Sequence, residues 1–376
     1  MSYNIAVIGG VFGDESKGLV THRLSPKFDW VARYNGGCQA GHTIYRNGKK
    51  YVHNLLPSID FRISHTKGFI GSGVVIDLEH FAKEIIKAEE DFPNVGKRIY
   101  IDPDAFLVLP KHKEEDKLKN GHLGTTNRGI GPAHVDKISR TGFRVKDVIL
   151  GKETSQKPFY DQLVALGVHF KHILELEDEF KKSNVLMEGA QSVMLDINHG
   201  TYPYVSCGDA CLSGIYANGF SFIKFDKVYG VAKAYSTRVG LGEFVTEVHG
   251  EEAEQLRTLG LEFGATTGRA RRIGHLDLPA LKYACKKGGI DTLIVAKFDI
   301  LDGSPTVKVC TEYEKTPVCP ADFFDAKPIY EDVQGWNDSH DVSQLKPIID
   351  LIEEKTGYPV EYISCGVEDK DFIKIK

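Results

Sequence analysis

The run Gly13-Asp14-Glu15-Ser16-Lys17-Gly18 follows directly on the apolar stretch Ile5-Ala6-Val7-Ile8, which places a glycine-rich turn between a strand and a helix start. Backbone N–H groups and the positive end of the helix dipole hold anions at such a turn, and a lysine adds a point charge. The segment is not a Walker A loop, because Ser16 stands before Lys17 where that motif has glycine, and Gly18 follows where it has serine or threonine. Two carboxylates, Asp14 and Glu15, sit inside the turn. They would repel phosphate unless they bind a cation or move a proton. The segment is therefore either an ordinary Asp/Gly turn or a phosphate loop with acid–base or metal chemistry built in.

Other polar clusters could serve the same chemistry. Gly36-Gly37-Cys38-Gln39-Ala40-Gly41-His42-Thr43 sets a histidine at the end of a glycine turn, open to close approach by a ligand. Gly124-Thr125-Thr126-Asn127-Arg128-Gly129 offers hydroxyls, backbone N–H groups and an arginine, with Lys137 and Arg140 close behind. Glu188-Gly189-Ala190-Gln191 leads through Asp196 to Gly200-Thr201-Tyr202-Pro203-Tyr204-Val205-Ser206, where an amide and hydroxyls could read a base. Gly264 to Arg272 is a hydroxyl-plus-guanidinium loop suited to carboxylate or phosphate. In Lys297-Phe298-Asp299, the carboxylate could accept from N1–H and the 2-amino group of guanine while the lysine stem packs on the ring. Cys207 and Cys211 are close in sequence, but without a second pair they are weak evidence for zinc.

These residues need a scaffold. Leu78, Phe81, Ala82, Ile85 and Ile86 recur at helical spacing behind Asp77 as N-cap, with Pro93 closing the helix. Ile99-Tyr100-Ile101 reads as a short strand. A helix from about Leu278 to Lys287 stops at Gly288-Gly289 and feeds the buried-strand run Thr292-Leu293-Ile294-Val295-Ala296. Leu345 to Lys355 is a further helix before the strand Tyr362-Ile363, and the charged stretch Lys111 to Lys119 reads as a solvated face. This rhythm predicts an α/β fold with a large, mostly parallel central sheet and flanking helices, and no linker divides residues 1–376. With 41% hydrophobic and 26% charged residues, the composition is that of an ordinary globular enzyme. A net charge of −5 argues against nucleic acid as the main partner, and no apolar run is long enough to span a membrane. Seven scattered cysteines and the absence of a leader pattern predict the cytoplasm.

Together the segments resemble the adenylosuccinate synthetase family, in order and over nearly the whole chain. Residues 13–18 resemble its GDEGKG loop, 36–43 its GG-x-x-AGHT segment, and 124–133 its GTTGRGIGPA run. Residues 188–206 resemble EGAQ…DIDHGTYPYVT, 233–240 match KAYSTRVG, 265–272 resemble ATTGRRRR, and 297–303 resemble KLDVLDG. The resemblance implies a ligase that joins L-aspartate to C6 of a 6-oxopurine nucleoside monophosphate through a 6-phosphoryl intermediate, using GTP or ATP and Mg²⁺. It implies Asp14 as base and metal ligand, the Gly41 carbonyl as a second ligand, and His42 as acid. Gly13, Lys17 and Gly18 would serve the phosphate loop. Gln39, Thr126, Arg140, Gln191, Ser206 and Arg269 would meet the acceptor nucleotide, Arg140 by reaching across a homodimer. Thr267, Arg269 and Arg271 would hold aspartate, while Lys17, Arg271, Lys297, Asp299, Ser364 and Gly366 would hold the donor.

Departures from the family pattern fall inside the motifs. Ser16, Asn127 and Ser192 replace glycines, Gln39 replaces an asparagine facing the purine, Ser206 replaces threonine, and Ala270 replaces one arginine. This concentration raises the expectation of a dGMP or GMP acceptor. That is the habit of a branch, found in viruses with 2-aminoadenine in their DNA, that makes the 2-amino analogue of (deoxy)adenylosuccinate, in which case the location would be a host cytoplasm. The alternative is the ordinary enzyme using IMP and GTP. Many members of the viral branch have serine where this chain keeps Asp14. Val367, where the family usually has proline, leaves ATP open as donor. A non-catalytic nucleotide-binding regulator is a remote alternative, disfavoured because Asp14 and His42 are both retained.

Overall fold

The computed structural model describes residues 2–46, 48–119, 124–265 and 268–376. Ten strands form the main sheet: β1 (Asn4–Gly9), β2 (Trp30–Arg33), β3 (Lys67–Ile70), β4 (Ile99–Ile101), β5 (His169–Phe170), β6 (Val185–Ser192), β7 (Lys227–Lys233), β8 (Thr292–Ala296), β9 (Val360–Ser364) and β10 (Phe372–Lys374). Their spatial order is β10-β9-β8-β7-β1-β6-β2-β3-β4-β5. Every neighbouring pair is parallel except β9 with β10. The fold expectation holds.

The central strands are buried on both faces, so their apolar residues divide by parity. Ala6 and Ile8 of β1 join one core cluster, and Ile5 and Val7 join the other on the opposite face. Leu293 and Val295 of β8 likewise part from Ile294. A fully buried Ile, Leu or Val side chain here contributes roughly 1.5–3 kcal/mol.

The helix Leu78–Glu89 starts at Asp77, whose carboxylate accepts from His80 N–H at 3.1 Å, as a capping residue should. Its apolar face is narrower than the sequence suggests. Ile85 is buried, but Ile86, one residue on and about 100° round the helix, is 40% exposed. The charged stretch differs too. Helix Pro110–Lys119 buries His112 and Asp116 beneath its solvated lysines. Asp116 accepts from Gly129 N–H at 3.0 Å and so fixes the start of helix Ile130–Ser139.

Parallel strands deliver their carboxyl ends to one edge of the sheet. From β1 the chain builds outward through β2 to β5, returns to insert β6 beside β1, then builds the other way through β7 to β9. The crevice at such a reversal is where open α/β sheets bind ligands. The loop after β1, the end of β6 and the turns after β8 and β9 all open there.

Candidate active site

At the carboxyl edge lies a cavity of about 460 Å³. Its walls include Gly13, Asp14, Lys17 and Gly18 from the turn after β1, and Gln39, Gly41 and His42 from the segment leading into hairpin His42–Arg46/Lys49–His53. Thr126, Gln191, Ser206, Arg271, Lys297, Asp299, Ser364 and Gly366 complete the expected set found there.

The two adjacent carboxylates of the first turn go opposite ways. Glu15 is buried and accepts from Gly13 N–H at 2.6 Å, Val11 N–H at 3.1 Å, Lys17 Nζ at 2.9 Å and the Ser192 hydroxyl. Burial pushes its carboxyl up, but Lys17, Ser192 and Gly13 outweigh burial and hold it below the ordinary value. Glu15 thus shapes the loop from within. Asp14, at φ 59°, faces the cavity, and its Oδ2 lies 2.7 Å from Arg271 Nε. Ser16 also adopts the left-handed region, at φ 69°, and its side chain caps no N–H of helix Lys17–Leu24. The glycine of the family pattern suits that backbone, and serine there is strained by about 1 kcal/mol.

Helix Lys17–Leu24 passes close to His42. A Cβ on Gly18 would sit 2.5 Å from the His42 Cβ, so only glycine admits the histidine. His42 Nδ1 donates to Glu188 Oε1, leaving Nε2 as the nitrogen available to a ligand. Glu188 is fully buried in β6 and also accepts from Ser58 Oγ at 2.6 Å and Ser58 N–H at 2.9 Å. Burial raises the Glu188 carboxyl, but His42, Arg33 and Ser58 prevail and hold it at about 2. Burial holds the His42 imidazole below its ordinary value, against the pull of Glu188. A neutral imidazole with its proton on Nδ1, facing a fixed carboxylate, gains a second proton when an anion reaches Nε2.

Several cavity groups lack a partner among the described residues. Both amide atoms of Gln39, Oε1 of Gln191 and Oδ1 of Asp299 are buried there without a hydrogen bond. Such atoms are costly unless something else satisfies them. Burial raises the Asp299 carboxyl against the opposing pull of Lys297.

One expected site residue stands elsewhere. Arg269 does not line the cavity, because its guanidinium is turned onto the carbonyls of Gly124, at 2.8 Å, and Thr125. Arg140, expected to serve a partner's site, is exposed at the C-terminal cap of helix Ile130–Ser139. Thr267 lies outside the described residues. Cys211 groups with Asp196 and His199, not with Cys207. Sequence reasoning named Glu15 and Glu188 without giving either a role of its own, and passed over Glu262. Glu188 carried a signal: a carboxylate inside the apolar run Val185 to Ala190 must find a buried partner.

A cavity at the carboxyl ends of a parallel sheet, walled by a phosphate-type turn, a carboxylate and a carboxylate-oriented imidazole, defines an α/β enzyme that handles phosphorylated ligands. The chain belongs to the adenylosuccinate synthetase family, whose model matches residues 6–166 and 159–373. It is accordingly a carbon–nitrogen ligase of that type. It is 43% identical to adenylosuccinate synthetase of Petrotoga mobilis over 98% of this chain and 96% of the relative. With the Thermotoga maritima enzyme the identity is 40%, over 99% and 100%. The fully ligated adenylosuccinate synthetase of Plasmodium falciparum superposes with a TM-score of 0.90 at 30% identity, covering 99% of each chain. Succinoaminodeoxyadenylate synthetase of cyanophage S-2L, solved with dGMP and dATP, gives 0.71 at 20% identity over 100% and 95%, a likeness of fold alone.

Proposed function

We propose that the chain works as an ordinary adenylosuccinate synthetase, joining L-aspartate to C6 of IMP at the expense of GTP. The observation that carries this reading is one cavity that holds Asp14, Lys17 and His42 together with Asp299, whose Oδ1 has no hydrogen-bond partner among the described residues. The relatives at 40–43% identity bear that name, whereas the dGMP-bound enzyme supports only the fold. Of the departures that suggested a 2-aminopurine acceptor, Asn127 has a local account: it occupies a left-handed position at φ 56°, a region asparagine tolerates readily. Asp299 favours GTP over ATP: guanine presents N1–H and a 2-amino group to a carboxylate, and adenine presents neither donor there.

Asp14 takes the N1 proton as O6 of IMP attacks the γ-phosphorus and the nucleoside diphosphate leaves; the aspartate amine then displaces phosphate from C6. His42, oriented by Glu188, takes up a proton as the anionic phosphoryl arrives and offsets its charge. Oxygen donors suit Mg²⁺, and the Asp14 carboxylate already faces a cation in Arg271, so Asp14 and the Gly41 carbonyl fit the ion. Bound there, Mg²⁺ would offset charge on the phosphoryl. Lys17 and Gly13 serve phosphates. Gln39, Thr126, Gln191 and Ser206 meet the acceptor, Arg271 meets aspartate together with Thr267, and Ser364 and Gly366 flank the donor base. Residues 1–376 act as one catalytic unit in the cytoplasm. Exposed Val135 and Ile138 on helix Ile130–Ser139, which ends at Arg140, support a homodimer in which Arg140 reaches the partner's site.

Phosphate release with aspartate and Mg²⁺, across IMP, GMP or dGMP and GTP or ATP, tests this reading. Turnover with IMP and GTP is expected. Turnover confined to GMP or dGMP would restore the 2-aminopurine reading, and none with any pair would overturn the enzyme. Asp14→Ala should abolish turnover with the fold intact.

A further inference from the structure

Glu262 is fully buried between two residues of the cavity wall, Leu261 and Phe263, and does not itself line it. Its Oε1 accepts from Lys233 Nζ at 2.9 Å and from the Tyr235 hydroxyl, and lies 3.2 Å from Lys297 Nζ. Its Oε2 accepts from Arg271 Nη1 at 2.6 Å. The cations come from separate places: the end of β7, the turn after β8, and the loop before strand Arg272–Gly274. Arg271 uses a different nitrogen for Asp14, and its Nε, though close, has no aligned acceptor among the described residues. The Asp14 contact is thus a charge contact that can be surrendered while the Glu262 bond persists.

We propose that Glu262 is a positioning residue that fixes Arg271 and Lys297 against one another, so that one buried carboxylate sets both the aspartate side and the donor-base side of the cavity. This rests on the reading that Arg271 meets aspartate and Lys297 meets guanine. When a ligand displaces Arg271 from Asp14, Glu262 keeps the guanidinium in place for the incoming carboxylate. Lys297 Nζ, which donates to the Gly260 carbonyl, is drawn as well to the Glu262 oxygen that takes Lys233, and so keeps its place at the donor side. A carboxylate shared in this way couples the two ligands without touching either.

Wild-type turnover with aspartate, IMP and GTP tests the underlying reading by itself; only the ratio of variant to wild type tests Glu262. In Glu262→Gln, KM for aspartate and KM for GTP are expected to rise together by about tenfold, with KM for IMP within about twofold. Glutamine leaves Lys233 uncompensated in the interior, which alone could unfold the protein. A second variant therefore combines Glu262→Gln with Lys233→Met, removing one buried charge of each sign. Retention of both KM increases in the double variant, at a wild-type melting temperature, supports positioning. Return of both KM values to wild type, or an equal rise in KM for IMP, overturns it.

Discussion

Replacing Glu188 with glutamine isolates what the buried carboxylate does for His42. The side chain keeps its size, but its charge and half its acceptors are lost. If the amide oxygen stays toward His42, the new NH₂ group faces the Ser58 N–H, now 2.9 Å from a carboxylate oxygen. If the amide flips, NH₂ faces His42 Nδ1 and drives the imidazole to the other tautomer, with its proton on Nε2 and no lone pair there to receive one. Either orientation loses the ion pair with the imidazolium. A carboxylate and an imidazolium near contact are worth about 4 kcal/mol at an effective dielectric of ~20. An amide dipole returns part of that, leaving a deficit of about 2–3 kcal/mol, or roughly 30- to 150-fold in kcat.

The assay is phosphate release under saturating aspartate, IMP and GTP, with KM for each measured separately. KM values should change little, because Glu188 is fully buried behind His42 and does not line the cavity. The pH profile carries the sharper test. Without the carboxylate, the imidazolium in the ternary complex loses its proton at lower pH, so the basic limb of kcat moves down. A kcat within about threefold of wild type, with an unmoved basic limb, would refute the assignment of His42 as a carboxylate-tuned acid.

Gly18→Ala should cut kcat by about 100-fold or more with little change in secondary structure, since its Cβ would displace the His42 Cβ; circular dichroism beside turnover checks both halves. Ser16→Gly should raise the melting temperature by about 1 °C, because it relieves left-handed strain of about 1 kcal/mol at φ 69°; a lower melting temperature would count against that account. Burial holds His53 at about 4 and His22 at about 3, both against the attraction of nearby carboxylates. The unfolded chain binds protons that the folded chain refuses, so stability is present above about pH 6.5 and is lost as pH falls toward 4. At pH 5 the loss from His53 alone is about 2 kcal/mol. Urea unfolding at pH 7 and pH 5 should show a smaller difference in His53→Phe than in wild type, and an equal difference would remove His53 from the account.

The elements that position the site were legible where burial leaves a one-dimensional trace. The run at 292–296 forms β8 over the same residues, and Ile99–Ile101 forms β4, because strands covered on both faces must be apolar throughout. The helix begun at Asp77 was legible from its cap, and only the width of its face was misjudged at Ile86. Glu262 left no such trace. Its partners at 233, 235, 271 and 297 converge only in the fold, and a charged residue in a charged neighbourhood reads as solvated. Helix Pro110–Lys119 concealed Asp116 for the same reason.

Asp14 and Glu15 show most directly why residue type and position stop short. They are adjacent, of one charge, and indistinguishable by any spacing rule. The left-handed backbone at Asp14 and Ser16 turns one carboxylate into the cavity and the other onto the N–H of Gly13. Glu15 then neutralises Lys17 from behind, at 2.9 Å, so the loop presents an anion-binding backbone without an uncompensated buried lysine. Asp14, which accepts from no backbone N–H among the described residues, takes the charge contact with Arg271. The acid pair that seemed at odds with phosphate is therefore two devices: one carboxylate builds the loop, and the other is held ready by a cation that a ligand can replace.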